Sequence, residues 1–302
     1  MEKSRQAFAF CLSVLTAILN PGCKESPAES AGDSLSPLMN LAAFSADSTT
    51  VGLTWALADG FETSTMLDQF IKITSGAALI DSISLPFTAR AVSVPNLTEG
   101  VTYTFTASIR ITADSIHSSA LPISWSPAKR LSLTPSGQPL RLYESNSSLA
   151  RGIRFFSDSL NSTMIIPLGS AEHSLIDVYF NSSLKLESGS LAPPGGRTTQ
   201  FSTQTMAANS LNTGQQSPPA TATYTSTGVV IDGEPAASGV IAFARTQDNH
   251  YARILILRGP GNIFVQGNAP NRYIEVQISY QSTPFVLYAM PASPPRGLIP
   301  HS

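Results

Sequence analysis

Two cysteines in 302 residues rule out a disulfide framework as the organising device of this chain. One of them, Cys11, lies inside an apolar run near the N-terminus, so Cys23 has no partner if that run is removed. Charge is equally scarce. Asp, Glu, Lys and Arg make up 13% of the residues, about half of the ~25% usual for a globular domain. The formal net charge is -2, and no basic stretch interleaved with aromatics occurs, which excludes nucleic acid as a partner. Histidine is limited to four residues, none paired at zinc spacing, so no metal site is expected. Gly-x-Ser-x-Gly, the P-loop and Gly-x-Gly-x-x-Gly are missing, and with them the usual signatures of α/β-hydrolase, nucleotide and dinucleotide chemistry. No apolar run reaches the roughly 20 residues that span a bilayer as a helix.

What is present begins at the N-terminus. Glu2, Lys3 and Arg5 precede an apolar run from Ala7 to Leu19 that stops at Asn20-Pro21-Gly22-Cys23, the layout of a signal peptide over residues 1–22. Gly22 before Cys23 resembles the lipobox of bacterial lipoproteins, with Asn20 where the family places an aliphatic residue. The resemblance implies cleavage before Cys23 and acylation of its thiol by palmitate-type chains. It further implies a membrane partner through the lipidated N-terminus and a place in the cell envelope, at the outer membrane of a Gram-negative bacterium. Several acyl chains, at about 0.8 kcal/mol per buried methylene, would hold that end in a bilayer without help from the rest of the chain. Residues 23–36, rich in Ser, Glu and Ala, predict a flexible tether.

From Pro37 the pattern turns to short alternating strands, at Val51–Trp55, Phe70–Ile73, Ala91–Val94 and Val101–Phe105, separated by turn residues. An all-β fold follows, and a β-sandwich in particular. Over residues 37–128 the sequence resembles a fibronectin type III domain: Leu-Thr-Trp55, then Leu97-Thr-Glu-Gly-Val-Thr-Tyr103, then Ser118–Ser124 as a closing strand. The resemblance assigns structural roles, with Trp55 and Leu97 in the core, Gly100 in the turn, and the Tyr103 hydroxyl bonding upstream backbone as a tyrosine corner.

Residues 129–139 carry prolines and read as a linker. A second β-rich domain, residues 140–290, follows, with strands expected at Gly152–Phe156, Leu175–Phe180, Val240–Ala244, Tyr251–Leu257 and Tyr273–Tyr280. Val240–Arg245 and Tyr251–Leu257 predict a hairpin around Thr246-Gln-Asp-Asn-His250, where an Asn suits a left-handed turn position. Residues 188–239 are long, polar and proline-bearing, and predict a mobile surface loop with at most a turn or two of helix at Met206–Leu211. Residues 291–302 predict an irregular tail.

The order of a Phe-Phe strand, Ile-Asp-Val-Tyr-Phe, a polar loop, and Ala-Phe-Ala-Arg-Thr before Asp-Asn-His-Tyr-Ala-Arg-Ile resembles HmuY-like haem-binding lipoproteins. That resemblance implies haem as a possible cofactor and makes His173 and His250 its candidate ligand-binding residues, although neither aligns with the family's ligands. Asp177 reads as a hydrogen-bonded strand or bulge residue. The sequence therefore predicts a lipid-anchored binding or adhesion protein without catalysis. Its C-terminal β domain would meet an unknown protein or glycan partner, with the first sandwich as spacer. Haem or small-molecule capture and an exported hydrolase are the alternatives.

Overall fold

The computed structural model describes residues 38–59, 61, 67–112, 115–118, 122–167, 170–212, 223–231 and 236–287. The expected signal peptide, Cys23, the tether and the tail lie outside the described residues.

Alternation of β-branched and polar residues sets the first sandwich. Strand β1 (Leu38–Ser45) pairs with β2 (Val51–Leu57), which also takes β5 (Ala91–Val94) on its other side. Facing them is a sheet of β4 (Ala78–Leu85), β3 (Asp68–Ser75), β6 (Tyr103–Thr112) and β7 (Ser115–Ser118), in that order, with β8 (Ile123–Trp125) also on β6. Three strands against five, β7 and β8 both lying on β6, is a fibronectin type III-like β-sandwich. Val51, Leu53 and Trp55 of β2 point inward, as do Ile71 and Ile73 of β3 and Phe105, Ala107 and Ile109 of β6, as a period of two requires.

Trp55 keeps its indole N–H satisfied in that core by donating to Gln69 Oε1 at 3.2 Å. Gln69 in turn donates to the Pro86 carbonyl at 2.9 Å. At the corner before β6, Tyr103 Oη accepts the Thr98 N–H at 3.1 Å, while Leu97 is buried and its N–H reaches Thr49 O at 2.9 Å. Gly100 has φ +84°, and a Cβ there would collide with the Thr283 side chain. The turn thus needs glycine for its conformation and for its neighbour.

The second region is a larger sandwich. Strands β9 (Lys129–Leu131) and β10 (Leu140–Tyr143) both pair with the last strand, β21 (Tyr273–Gln281). The opposite sheet opens with β11 (Gly152–Ser157), β12 (Ser162–Ile166), β13 (Val178–Phe180) and β14 (Lys185–Ser188). The chain then supplies β15 (Thr199–Ser202), β16 (Met206–Ala207), β17 (Tyr224–Thr225) and β18 (Val229–Val230), and finishes with β19 (Val240–Thr246) and β20 (Tyr251–Leu257) ahead of β21. One sheet runs β10-β21-β20-β19-β15-β17 and the other β12-β11-β13-β14-β18. Their inner faces share one apolar core that includes Phe155, Phe180, Phe201, Ile254, Ile274 and Ile278.

Three expectations change. Residues 129–139 are not a free linker at their start, because Lys129, Arg130 and Leu131 pair with Tyr280, Ser279 and Ile278. The span 188–239 holds four short strands where a loop was expected, since Phe201 and Ile231 have core to bury even though the intervening residues are polar. Within it Met206–Ala207 is strand rather than helix, paired to Ile241 and Val240. The strand expected from Leu175 begins only at Val178, because Ala171–Leu175 forms a 3-10 turn. The hairpin forms around Asn249, whose φ is +61°, and Thr246 N closes it on His250 O at 2.9 Å.

The two sandwiches are joined without slack. Gln281, fully buried, donates from Nε2 to Ser126 Oγ at 3.1 Å and to Pro127 O at 3.0 Å. Glu99, from the turn before β6, accepts Ser282 N at 3.0 Å and pairs with Lys129 Nζ at 3.1 Å. Arg130 Nη1 donates to Ser45 O at 3.0 Å. The described residues from Leu38 onward pack as one unit.

Candidate functional site

The C-terminal sandwich collects the titratable groups that the sequence singles out, and each is already engaged. Asp177 is 3% exposed. Its Oδ2 accepts the Phe155 N–H at 2.8 Å and its Oδ1 accepts Arg197 Nε at 2.7 Å. Arg197 also pairs with Asp248 in the β19–β20 turn. Burial pushes the Asp177 carboxyl up, and the Phe155 N–H and Arg197 pull it back. With each oxygen holding an internal donor and the residue buried, Asp177 fastens β11 to the loop carrying Arg197 and is turned away from solvent.

His173 sits in the 3-10 turn, buried, with Nε2 between Ala192 O at 3.0 Å and Gly195 N at 3.3 Å. Nε2 thus meets a carbonyl acceptor and an amide donor of the same loop, so the imidazole holds residues 192–195 in either tautomer. His250 belongs to the hairpin turn. Its Nδ1 lies 3.3 Å from Gln281 O, and its ring lies flat on Tyr280, with centroids 5.6 Å apart and planes at 8°. Tyr280 stacks in turn on Phe156 at 6.0 Å, and Lys129 Nζ sits 4.6 Å from the Phe156 centroid. Each histidine is thus oriented by a backbone carbonyl of its own neighbourhood, one on the 192–195 loop and one at the end of β21. Among the described residues, no group of three or more His, Cys, Asp or Glu is placed to hold a metal ion.

A cleft of about 510 Å³ opens elsewhere in the same domain, where the chain crosses from one sheet to the other between β17 and β18. The crossing is local chemistry. Phe201 and Ser202 of β15 pair with Thr225 and Tyr224, and only a few residues later Val229 pairs with Leu186 of β14. Gly228 allows it, since a Cβ there would lie 2.7 Å from Leu186 O. Ile231, Ile256, Phe264 and Ser202 are the buried lining of the cleft, Thr225, Val229 and Val240 are half-buried, and its exposed rim carries the hydroxyls of Thr203, Thr205 and Thr227 beside the apolar Val230. None of its described lining residues is ionisable. Sequence reasoning missed these residues, because a run of threonines and glycines reads as loop. The signal that could have found them is the β-branched triplet Val229-Val230-Ile231 directly after Gly228.

No family model matches the chain, and no curated protein matches it. Solved structures do. A fn3 domain of the human collagen alpha-1(XX) chain is 23% identical, over 33% of this chain and 92% of that one, with a TM-score of 0.28. A myokine structure is 16% identical, over 31% of this chain and 99% of that one, with a TM-score of 0.26. Titin kinase with its flanking domains is 9% identical, over 80% of this chain and 37% of that one, with a TM-score of 0.22. These are likenesses of chain path at low scores, and the assignment of the first sandwich rests on its own strand order and register.

Proposed function

We propose that this chain is an exported, lipid-anchored binding protein that performs no catalysis, and that its C-terminal sandwich holds the ligand while the fibronectin type III-like sandwich presents it. The anchor is argued from the sequence between Ala7 and Cys23. The binding role is supported above all by one observation: the hydroxyl-rimmed cleft between β17 and β18 has an apolar floor and no ionisable side chain among its described lining residues. Its size falls in the ~300–1,000 Å³ range of small-ligand sites. Hydrolysis of an ester, amide or glycoside asks for positioned acids, bases or nucleophiles with a base at hand. The serine and threonine hydroxyls here have no described imidazole or carboxylate beside them on the cleft wall. The buried carboxylate Asp177 is consumed by structure.

The test is native mass spectrometry of the full chain purified from its own cells, compared with a Val240→Trp variant that fills the cleft. A non-covalent adduct held by the wild type and lost in the variant is the expected result. No adduct on the wild type, or an adduct that the filled variant retains, would remove the cleft from consideration. The anchor is tested separately by incorporation of labelled palmitate, which Cys23→Ser should abolish.

A further inference from the structure

The hydroxyls lining the cleft are not interchangeable with water, and their local bonds say what they can offer. Ser202 Oγ accepts the Gln204 N–H at 3.1 Å, Thr203 Oγ1 accepts the Thr223 N–H at 3.3 Å, and Thr225 Oγ1 accepts the Thr227 N–H at 3.3 Å. A hydroxyl has one proton to give and two lone pairs to receive. One lone pair on each oxygen is occupied by backbone, which leaves the proton and the second lone pair, so the rim can donate to an acceptor. The floor beneath presents Val240, Ile256 and Phe264, with Ile256 fully buried and Phe264 5% exposed. Nothing described on the walls would neutralise a charge. A carboxylate or an ammonium drawn into the cleft would shed water with no counterion to meet it, at a cost that a neutral head group avoids.

We infer that the cleft takes an uncharged ligand with an aliphatic body and a hydrogen-bond-accepting head, such as an ester, amide or ketone. The body would lie on the Val240–Ile256–Phe264 floor and the acceptor oxygen would meet the Ser/Thr hydroxyls. This deepens, and rests on, the binding reading of the same cleft. Strand residues of both sheets, Ser202, Thr225, Val229, Val230, Val240 and Ile256, share the lining with the loop residues between them.

The experiment is a titration of the full chain with Nile red, a neutral ketone-bearing fluorophore, followed by competition. Saturation at one dye per chain, displacement by methyl decanoate, and at least tenfold weaker displacement by decanoate and by decylamine are the results expected. Binding should be lost in Val240→Trp. Thr227→Trp, which blocks the exposed rim without touching the core, gives the same reading if the first variant folds poorly. Equal displacement by decanoate, or dye binding undiminished by Thr227→Trp, would overturn the inference. The two failures are separable. A charged adduct in native mass spectrometry leaves the binding reading standing and ends this one, whereas absence of both adduct and saturable dye binding ends both.

Discussion

The two sandwiches share an architecture and differ in what they take out of water. In the fibronectin type III-like sandwich the buried polar side chains are neutral, among them Ser45, Gln69, Ser108 and Ser126. Neutral partners satisfy the core, with the Trp55 indole donating to Gln69, Gln69 donating to backbone carbonyls, and the Trp125 indole donating to Ser45 Oγ. In the C-terminal sandwich the buried list includes Glu144, Asp177 and Arg253. Glu144, 1% exposed, accepts Arg272 Nε at 3.1 Å, and Asp177 depends on Arg197. A neutral group that loses a partner forfeits about one hydrogen bond. A buried charge that loses its partner is left facing a low-dielectric interior. The first sandwich is thus tolerant where the second is brittle, and among the described residues the buried carboxylates, Glu144 and Asp177, belong to the second.

The comparison can be pressed at four places. Asp177→Ala should have the largest effect, about 3 kcal/mol, because it leaves the buried Phe155 N–H without its acceptor and the Arg197 guanidinium with Asp248 as its remaining carboxylate; denaturant unfolding of the full chain would measure it. A cost under about 1 kcal/mol would mean that the charged pair is incidental to the second core. Glu144→Gln comes next, at about 1.5–3 kcal/mol near neutral pH, and its effect should depend on pH. Arg272 holds the Glu144 carboxyl below its ordinary value of 4.5. A depressed folded value means that the stabilisation is complete above the unfolded value and is lost as pH falls through the folded one. The gap in melting temperature between wild type and variant should therefore be constant above about pH 5.5 and close on acidification, on the usual span of about one unit past the pKa. A gap that widens with acid would reverse the assignment.

Gln281→Ala sharpens the comparison differently, since it removes the amide that ties Ser126 and Pro127 to β21. A loss of about 1–3 kcal/mol is expected, with the single unfolding transition splitting into two as each sandwich answers for itself, followed by calorimetry. Tyr103→Phe should be smallest, about 1 kcal/mol, since it removes the acceptor that meets the Thr98 N–H in the neutral sandwich, measured by the same denaturant unfolding.

What the sequence made legible follows from where the determining contacts lie. Trp55, and Leu97 through Tyr103, act within a few residues of themselves or across one sheet, so short motifs announce them. Strand β4 was invisible because its side chains are exposed or half-buried along its whole length, and no alternation marks an edge strand that buries neither face. Trp125 was missed for the opposite reason: its indole donates to Ser45 Oγ at 3.1 Å, eighty residues away in the chain. The cleft belongs to this second kind. Ser202, Thr225, Val229 and Ile256 come together from three stretches, β15, β17 with β18, and β20, and nothing in any one stretch states the meeting. His173 and His250 stood out in the sequence because histidine is scarce, and the structure shows each contacting a backbone carbonyl, of Ala192 and of Gln281.

The passage from Trp125 to Lys129 has one more consequence. Had residues 129–139 been a free coil, the distance between the two sandwiches would have fluctuated as the square root of its length, and the cleft would have sampled a cloud of positions. Because β9 enters the ladder beside β21 within a few residues of β8, that distance is instead a constant of the folded chain. A partner that touched both sandwiches would meet its second contact at a preset spacing and pay little further entropy for it, while a partner with the wrong spacing would be confined to one. The junction thus works as a ruler.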